Sequence, residues 1–477
     1  MNTNSEKKPK IITFTAFVLL SAVYISLIWN NNVWMDEAFT ASLVHTDLAG
    51  VIERSMADTL PPLYNIYLYL MTALLGYSMP VMKLASVIPM LLTLLIGATV
   101  VRKRFGLQTA ILFMMCITFM PLVLYYGVEI RMYSLGFFFA TASGIYAHEV
   151  VCDPNRKNWA AFTIFSTLAG YTHHFAFVTV AFSYLYLLLF YFFKKRDKIK
   201  DWFICLAATF ILYLPCLMVT LKQISRVSGY FSMPDVDLAM FIQYAAYPYT
   251  VGVTFASVVC VLLMTASLAL FIKKIAVDGN PDPKYIFGIC CFCVYYGVLI
   301  FGTIVSKLMT ANIFVDRYLF FSVGLLWLFA AIMLSGNEKL FYASAVVVFI
   351  IGICSYHVQF EKEYKNSADE EIAFLRENIG EGDVFFSIGG HEEMQNCIPF
   401  YTYLDEGTNE LTFVYPIDEA IRVSKERGTT LWISVLEGFS PTGQQEEVLR
   451  GQGLTLQKVA DFDFDRYKCS FFKVVTR

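Results

Sequence analysis

Long apolar stretches separated by short polar ones dominate the chain. Runs of roughly 20 apolar residues match a bilayer core, which a helix of that length crosses. They fall at 11–29, 80–101, 107–125, 131–149, 159–171, 174–193, 202–221, 250–272, 285–306, 317–334 and 339–356. The stretch 63–76 is apolar over about 14 residues, short for a crossing. After 356 the pattern changes. Short β-rich runs at Val384–Ile388, Phe400–Leu404, Thr412–Tyr415, Thr430–Val435 and Phe471–Val475 alternate with helical periodicity at Ala368–Asn378, Asp418–Arg427 and Gln444–Gly451. The pattern predicts a polytopic α-helical membrane protein with about 11–13 transmembrane helices, an odd number. A membrane module over 1–356 is followed by a soluble α/β domain over 357–477.

Composition narrows the class. The 477 residues are 57% hydrophobic and 16% charged, far from a soluble protein. A net charge of −3 without a basic stripe excludes nucleic acid as a main partner. The charges are unevenly spread: 357–477 holds 22 of the 39 acidic residues and 12 of the 36 basic ones, so the tail is acidic and the membrane part basic. Lysine and arginine mark cytoplasmic turns, here Arg102-Lys103-Arg104, Arg156-Lys157, Lys194 to Lys198 and Lys273-Lys274. Alternation then places the N-terminus inside. Glu129–Arg131, His173–His174, the 222–240 loop, Lys307–Arg317 and the tail fall outside the cell membrane. The first run lacks a small-residue cleavage site and reads as a span rather than a signal peptide. Most of the 11 cysteines lie in or beside spans, where they serve as small apolar residues. Cys397 and Cys469 lie in the external tail, where an oxidising compartment would allow one disulfide.

The loop 31–62 joins the first span to the next apolar run. Thr46-Asp47 is a helix-start signal, and Leu48, Val51, Ile52, Ser55 and Met56 then give one apolar face suited to the membrane surface. Asp36-Glu37 opens the loop. Carboxylates beside a membrane are costly and mark function by default, although acids also simply favour a helix start. Asp58 followed by Pro61-Pro62 and Tyr64 closes the loop, and a helix-terminating turn is the plain alternative.

Further polar groups gather at the expected outer ends. Glu129 and Arg131 lie in Tyr125-Tyr126-Gly127-Val128-Glu129-Ile130-Arg131-Met132-Tyr133, and they could simply pair with each other. An arginine amid aromatics also suits a lipid phosphate, because guanidinium binds phosphate in a fork. His173-His174 could donate a proton, ligate a metal or merely be interfacial. Asp316-Arg317-Tyr318 adds an external charge pair. In the tail, His391 with Glu392 and Glu393 reads as a solvated turn rather than a metal site.

Taken in order, these motifs resemble the GT-C glycosyltransferases related to protein O-mannosyltransferases and the lipid A aminoarabinose transferase. The resemblance spans about residues 11–335 and rests on the external Asp-Glu, the Asp-x-x-Pro-Pro-Leu-Tyr loop end, Tyr-Tyr-x-x-Glu-x-Arg-Met-Tyr, Tyr-Thr-His-x-Phe-Ala and a late Arg-Tyr-Leu. It implies transfer of a hexosyl or pentosyl unit from a polyprenyl-phosphate donor to a protein, lipid or cell-envelope glycan acceptor on the outer face. The anomeric configuration would invert. By position, Asp36 would be the catalytic carboxylate with Glu37 beside it. Asp58, Tyr64, Glu129, Arg131, Tyr133, His173, Lys307 and Arg317 would contact substrate. No cofactor is required, and a divalent metal at Asp36 and Asp58 is the variant reading. Leu60 stands where many relatives carry His, and Val128 where many carry Arg. The rival function is a transporter or flippase of lipid-linked sugars, which would favour charges near the midplane and internal repeats. Here the charges gather at the outer ends.

Overall fold

The computed structural model describes residues 3–230, 236–250, 253–278, 282–308, 312–365, 368–388, 412–463 and 468–476. The chain divides into two compact units. The first comprises Met1–Ile28, Leu48–Leu68 and Lys83–Gln359, and the second Trp29–Asp47, Tyr69–Met82 and Phe360–Arg477.

Helices make up the membrane part. In order they are α1 (Thr3–Ile25), α2 (Met35–Val44), α3 (Leu48–Ala57), α4 (Leu63–Leu75), α5 (Met79–Ile96), α6 (Arg102–Phe105), α7 (Leu107–Phe119), α8 (Val123–Val128), α9 (Tyr133–Cys152) and α10 (Arg156–Thr172). They continue with α11 (His174–Lys194), α12 (Ile199–Tyr230), α13 (Leu238–Ala246), α14 (Thr254–Asp278), α15 (Pro283–Leu308), α16 (Phe320–Leu334) and α17 (Glu338–Tyr364). Among the described residues, nine helices are long and apolar enough to cross a membrane. The expected spans at 107–125 and 159–171 are helices of 13 and 17 residues, and 63–76 is a helix of 13. The expected 222–240 loop is partly helical, because α12 runs on to Tyr230 with no further proline after Pro215.

Within the first unit, α9 and α16 are almost wholly buried, whereas α12 and α14 keep large apolar faces exposed, as lipid-facing helices do. Small residues let the two central helices approach closely. A Cβ on Gly136 would lie 2.5 Å from Phe321, and one on Gly144 2.6 Å from Leu325.

The second unit contains the tail domain. Its helices are α18 (Ala368–Asn378), α19 (Ile417–Arg427) and α20 (Gly443–Gly451), and its strands are β1 (Val384–Ile388), β2 (Thr412–Phe413), β3 (Leu431–Leu436), β4 (Leu454–Asp463) and β5 (Lys468–Thr476). The sheet order is β2-β1-β3-β5-β4. β1 pairs in parallel with β2 and β3, with Val384 opposite Leu431, and the β3–β5 and β4–β5 pairs are antiparallel. Successive strand residues point to opposite faces, so both faces build a core. Phe385, Trp432 and Phe471 pack with Leu375 of α18, while Val384, Phe386 and Ile433 pack with Ile417 and Ile421 of α19 and Leu449 of α20. The expected strand at Phe400–Leu404, the His391 turn and Cys397 lie outside the described residues. Strand β4 adds an element that the apolar pattern did not announce, since its middle residues are mostly exposed.

Candidate active site

In the first unit the site grows from three chain reversals. The first follows α3, where the Thr59 amide donates to Asp58 Oδ1 at 2.6 Å. Gln223 of α12 holds this turn through a 2.7 Å bond from its Nε2 to the Leu60 carbonyl. Asn65 Nδ2 donates to Ser55 Oγ at 3.0 Å, and Tyr64 Oη bonds Ser86 Oγ at 2.8 Å. The Tyr64 ring is thus buried structure, and its hydroxyl meets α5.

The second reversal joins α10 to α11. His173 caps α11, and its Nδ1 accepts the Phe175 amide at 3.0 Å. That bond places the ring proton on Nε2, the only other nitrogen. His173 is 1% exposed, and its Nε2 has no hydrogen-bond partner among the described residues. Burial, reinforced by His174, Arg131 and Arg317, holds the ring well below the ordinary histidine range and therefore neutral. The arrangement makes His173 an N–H donor. With Nδ1 engaged and Nε2 protonated, the ring offers no lone pair to a metal. Next to it, His174 lines the same cavity as Thr59 and Gln223, which sets this reversal beside the first.

The third element is the α8–α9 turn with the start of α16. The Arg131 amide donates to the Glu129 carbonyl at 2.7 Å, which closes the turn tightly. Tyr126 stacks edge-on against Tyr125 and Tyr133 at 4.7 Å and accepts the Tyr247 hydroxyl at 2.7 Å. Arg317, Glu129 and Arg131 all lie within electrostatic reach of the Tyr133 hydroxyl, which is buried without a partner among the described residues. The Arg317 amide donates to Asp316 Oδ1 at 2.7 Å. The His173 ring lies 4.7 Å from Tyr318 and 4.5 Å from Phe321.

The structure thus brings Glu129, Arg131, Tyr133, His173 and Arg317 together. Beside them opens a cavity of about 390 Å³, lined mainly by apolar side chains such as Phe177, Leu217 and Phe301. Thr59, His173, His174 and Gln223 supply its polar rim. Lys307 is exposed in the last turn of α15 and does not line this cavity. A lysine that hydropathy passes over is Lys83 of α5, which is 1% exposed. A single charge inside an apolar run barely moves a window average, yet a buried ammonium at membrane depth is a functional candidate by default.

Asp36 and Glu37 belong to the second unit and form the first turn of α2. Glu37 Oε2 accepts the Trp34 amide at 3.0 Å, so that carboxylate serves as a helix cap. Asp36 is 7% exposed, and its carbonyl accepts Thr40 Oγ1 at 2.8 Å. The same unit anchors the segment just before it. The Trp29 amide donates to Tyr364 Oη, Asn31 Nδ2 to Asp369 Oδ1, and Asn32 Nδ2 to the Lys362 carbonyl. Among the described residues, no group of three or more His, Cys, Asp or Glu side chains could hold a metal ion.

No protein-family model and no curated protein matches the sequence. Solved structures do resemble it. ArnT from Cupriavidus metallidurans in the apo state aligns with a TM-score of 0.65 at 11% identity, covering 97% of both chains. ArnT from the same organism bound to undecaprenyl phosphate aligns with a TM-score of 0.62 at 10% identity, again over 97% of each. The chain shares its fold with these structures, and its own helical part is followed by a small sheet domain.

Proposed function

We propose that the protein is a membrane glycosyltransferase that moves a sugar from a polyprenyl-phosphate donor to an acceptor at the outer membrane face. The observation that carries this reading is the cluster of buried Glu129, Tyr133 and His173 with half-buried Arg131 and Arg317, beside an apolar cavity of about 390 Å³. Cations and neutral N–H or O–H donors suit a phosphate, and apolar walls suit a prenyl chain. The likeness to a fold seen with undecaprenyl phosphate supports the same donor class.

In this scheme the acceptor oxygen attacks the anomeric carbon, and the bond from that carbon to the phosphate oxygen breaks. The configuration inverts, and polyprenyl phosphate departs. Asp36 takes the acceptor proton, a contribution typically worth about 10²–10⁴-fold. Arg131 and Arg317 neutralise the developing phosphate charge, the kind of stabilisation that dominates many transfers. His173 adds its Nε2–H to the same oxygens, and Glu129 orients the arginines. Lys83 is a further candidate for the phosphate. The acceptor is a protein, lipid or cell-envelope glycan, and the sugar a hexose or pentose.

The test uses purified protein in detergent with radiolabelled polyprenyl-phosphate sugars and mixed envelope acceptors. Release of free polyprenyl phosphate together with labelled acceptor supports the proposal. Movement of intact donor across proteoliposomes without its cleavage would make the protein a flippase instead. Full transfer by a correctly folded Asp36→Asn variant would remove Asp36 as the base.

A further inference from the structure

At the opposite ends of α14 to α17 lies a crevice that the proposed reaction does not use. α15 is 26 residues long, so the turn before it and the Arg317 region after it are separated by about 39 Å along the helix. The crevice sits between the α14–α15 and α16–α17 connections and has a volume of about 260 Å³. One wall is a single face of α14: Leu270, Lys273, Lys274 and Val277 line it. Their spacing of three, four and seven places them on one side of a helix. The facing wall is formed by Tyr285, Met333, Gly336, Asn337 and Leu340.

The chemistry of the walls is mixed in a specific way. Lys274 Nζ lies 5.4 Å and Lys284 Nζ 4.9 Å from the centroid of the Tyr285 ring, so two ammonium groups converge on one aromatic side chain. Asp282 meets Lys284 at 3.7 Å, and both are exposed. Leu270, Val277 and Leu340 provide apolar surface beside the lysines. At Gly336 the missing side chain keeps the crevice open: a Cβ there would lie 3.4 Å from the Met333 carbonyl oxygen and 3.8 Å from Tyr285 Oη. Basic pockets between membrane helices bind anionic lipid head groups, and lysine stems lie along apolar surface while the ammonium reaches the head-group level.

We infer that this crevice is a binding site for an anionic glycerophospholipid. Its phosphodiester meets Lys273 and Lys274, and one acyl chain lies against Leu270, Val277 and Leu340. The Lys-rich turns mark this face as the cytoplasmic one in the sequence, where anionic lipids attract basic groups. The inference does not depend on the glycosyltransferase reading.

The full-length protein in a neutral detergent is titrated with dioleoyl phosphatidylglycerol or dioleoyl phosphatidylcholine, followed by native mass spectrometry and thermal unfolding. Phosphatidylglycerol is expected to bind selectively and to raise the unfolding midpoint. Lys273→Gln/Lys274→Gln is expected to weaken binding on the order of 30-fold, from two near-surface charges. Lys273→Arg/Lys274→Arg should retain binding, which separates loss of charge from loss of folding. Gly336→Leu leaves every charge in place but fills the crevice, and should also abolish binding. Lys194→Gln/Lys195→Gln, at another basic turn, should leave it unchanged. Equal binding of the two lipids, retention of selectivity in the double glutamine variant, or undiminished binding by Gly336→Leu would each overturn the site. Displacement by excess glycerol phosphate as effective as that by lipid would assign it to a soluble phosphate and overturn the lipid proposal.

Discussion

Replacing His173 by glutamine should remove one component of the acid sensitivity of the protein. The ring is 1% exposed, and its Nδ1 lone pair is committed to the Phe175 amide at 3.0 Å. A second proton would break that bond and place a buried cation near Arg131 and Arg317, so the ring stays neutral well below its ordinary value of 6.5. The unfolded ring, in water, takes up a proton below about pH 6.5. Below that value the unfolded state therefore binds more protons than the native one, and stability falls as the pH is lowered. Above it the contribution is constant. One such group costs about 1.4 kcal/mol at one pH unit below the unfolded value. The assay is thermal or chemical unfolding in detergent at pH 5.5 and 7.5, with wild type and His173→Gln compared at each. The wild type should lose about 1.4 kcal/mol more than the variant between these values. Identical pH slopes would refute a neutral native His173 and with it the assignment of Nε2 as a donor.

Other perturbations separate structure from chemistry. Asp36→Asn should lower transfer by roughly 10²–10⁴-fold, whereas Glu37→Ala, which removes the acceptor of the Trp34 amide, should cost stability by about 0.5–2 kcal/mol; transfer rates and unfolding midpoints of both variants decide this. Glu371 buries both carboxylate oxygens without a hydrogen-bond partner among the described residues, on the face of α18 that carries Ala368 and Leu375. Glu371→Leu completes that apolar stripe and should stabilise the protein by about 1–3 kcal/mol, read as a raised unfolding midpoint. Gly144→Val forces a side chain against Leu325 and should destabilise the bundle by about 1–3 kcal/mol, measured in the same way.

These expectations show where the sequence was legible. Helices reveal themselves when most of a segment shares one environment: α14 and α15 are apolar except near their ends and sit within six residues of the expected runs. β1 and β3 were visible for the same reason, since every residue in each is buried. β4 was hidden because it forms the edge of the sheet, and its exposed middle carries the polar Gln457 and Lys458, which interrupt the apolar pattern. Polar residues after Leu221 stop the apolar pattern, yet those up to Tyr230 continue a helix whose Gln223 reaches the Leu60 carbonyl.

The residues of the candidate site were legible in the sequence as polar groups, and the state of each side chain was not. Residue type announced Arg131, His173 and Arg317 at polar reversals between apolar runs, but what a side chain does depends on which of its atoms are already occupied. Glu37 and Asp36 are adjacent in sequence and read alike, and only the fold shows that Glu37 accepts the Trp34 amide and so caps α2. His173 read as a donor or a ligand until the Phe175 amide, two residues on, fixed its tautomer. That bond is local and the motif contains both partners, so the sequence held the information, but the N-cap conformation needed to make it comes from packing against Tyr318 and Phe321 more than a hundred residues away. A neutral His173 with a committed Nδ1 can donate to an anion without first acquiring a proton. Arg131 and Arg317 both suppress protonation of the ring and offer positive charge to a phosphate. The same two cations would therefore keep the ring a donor and supply the charge that a donor site for phosphate requires.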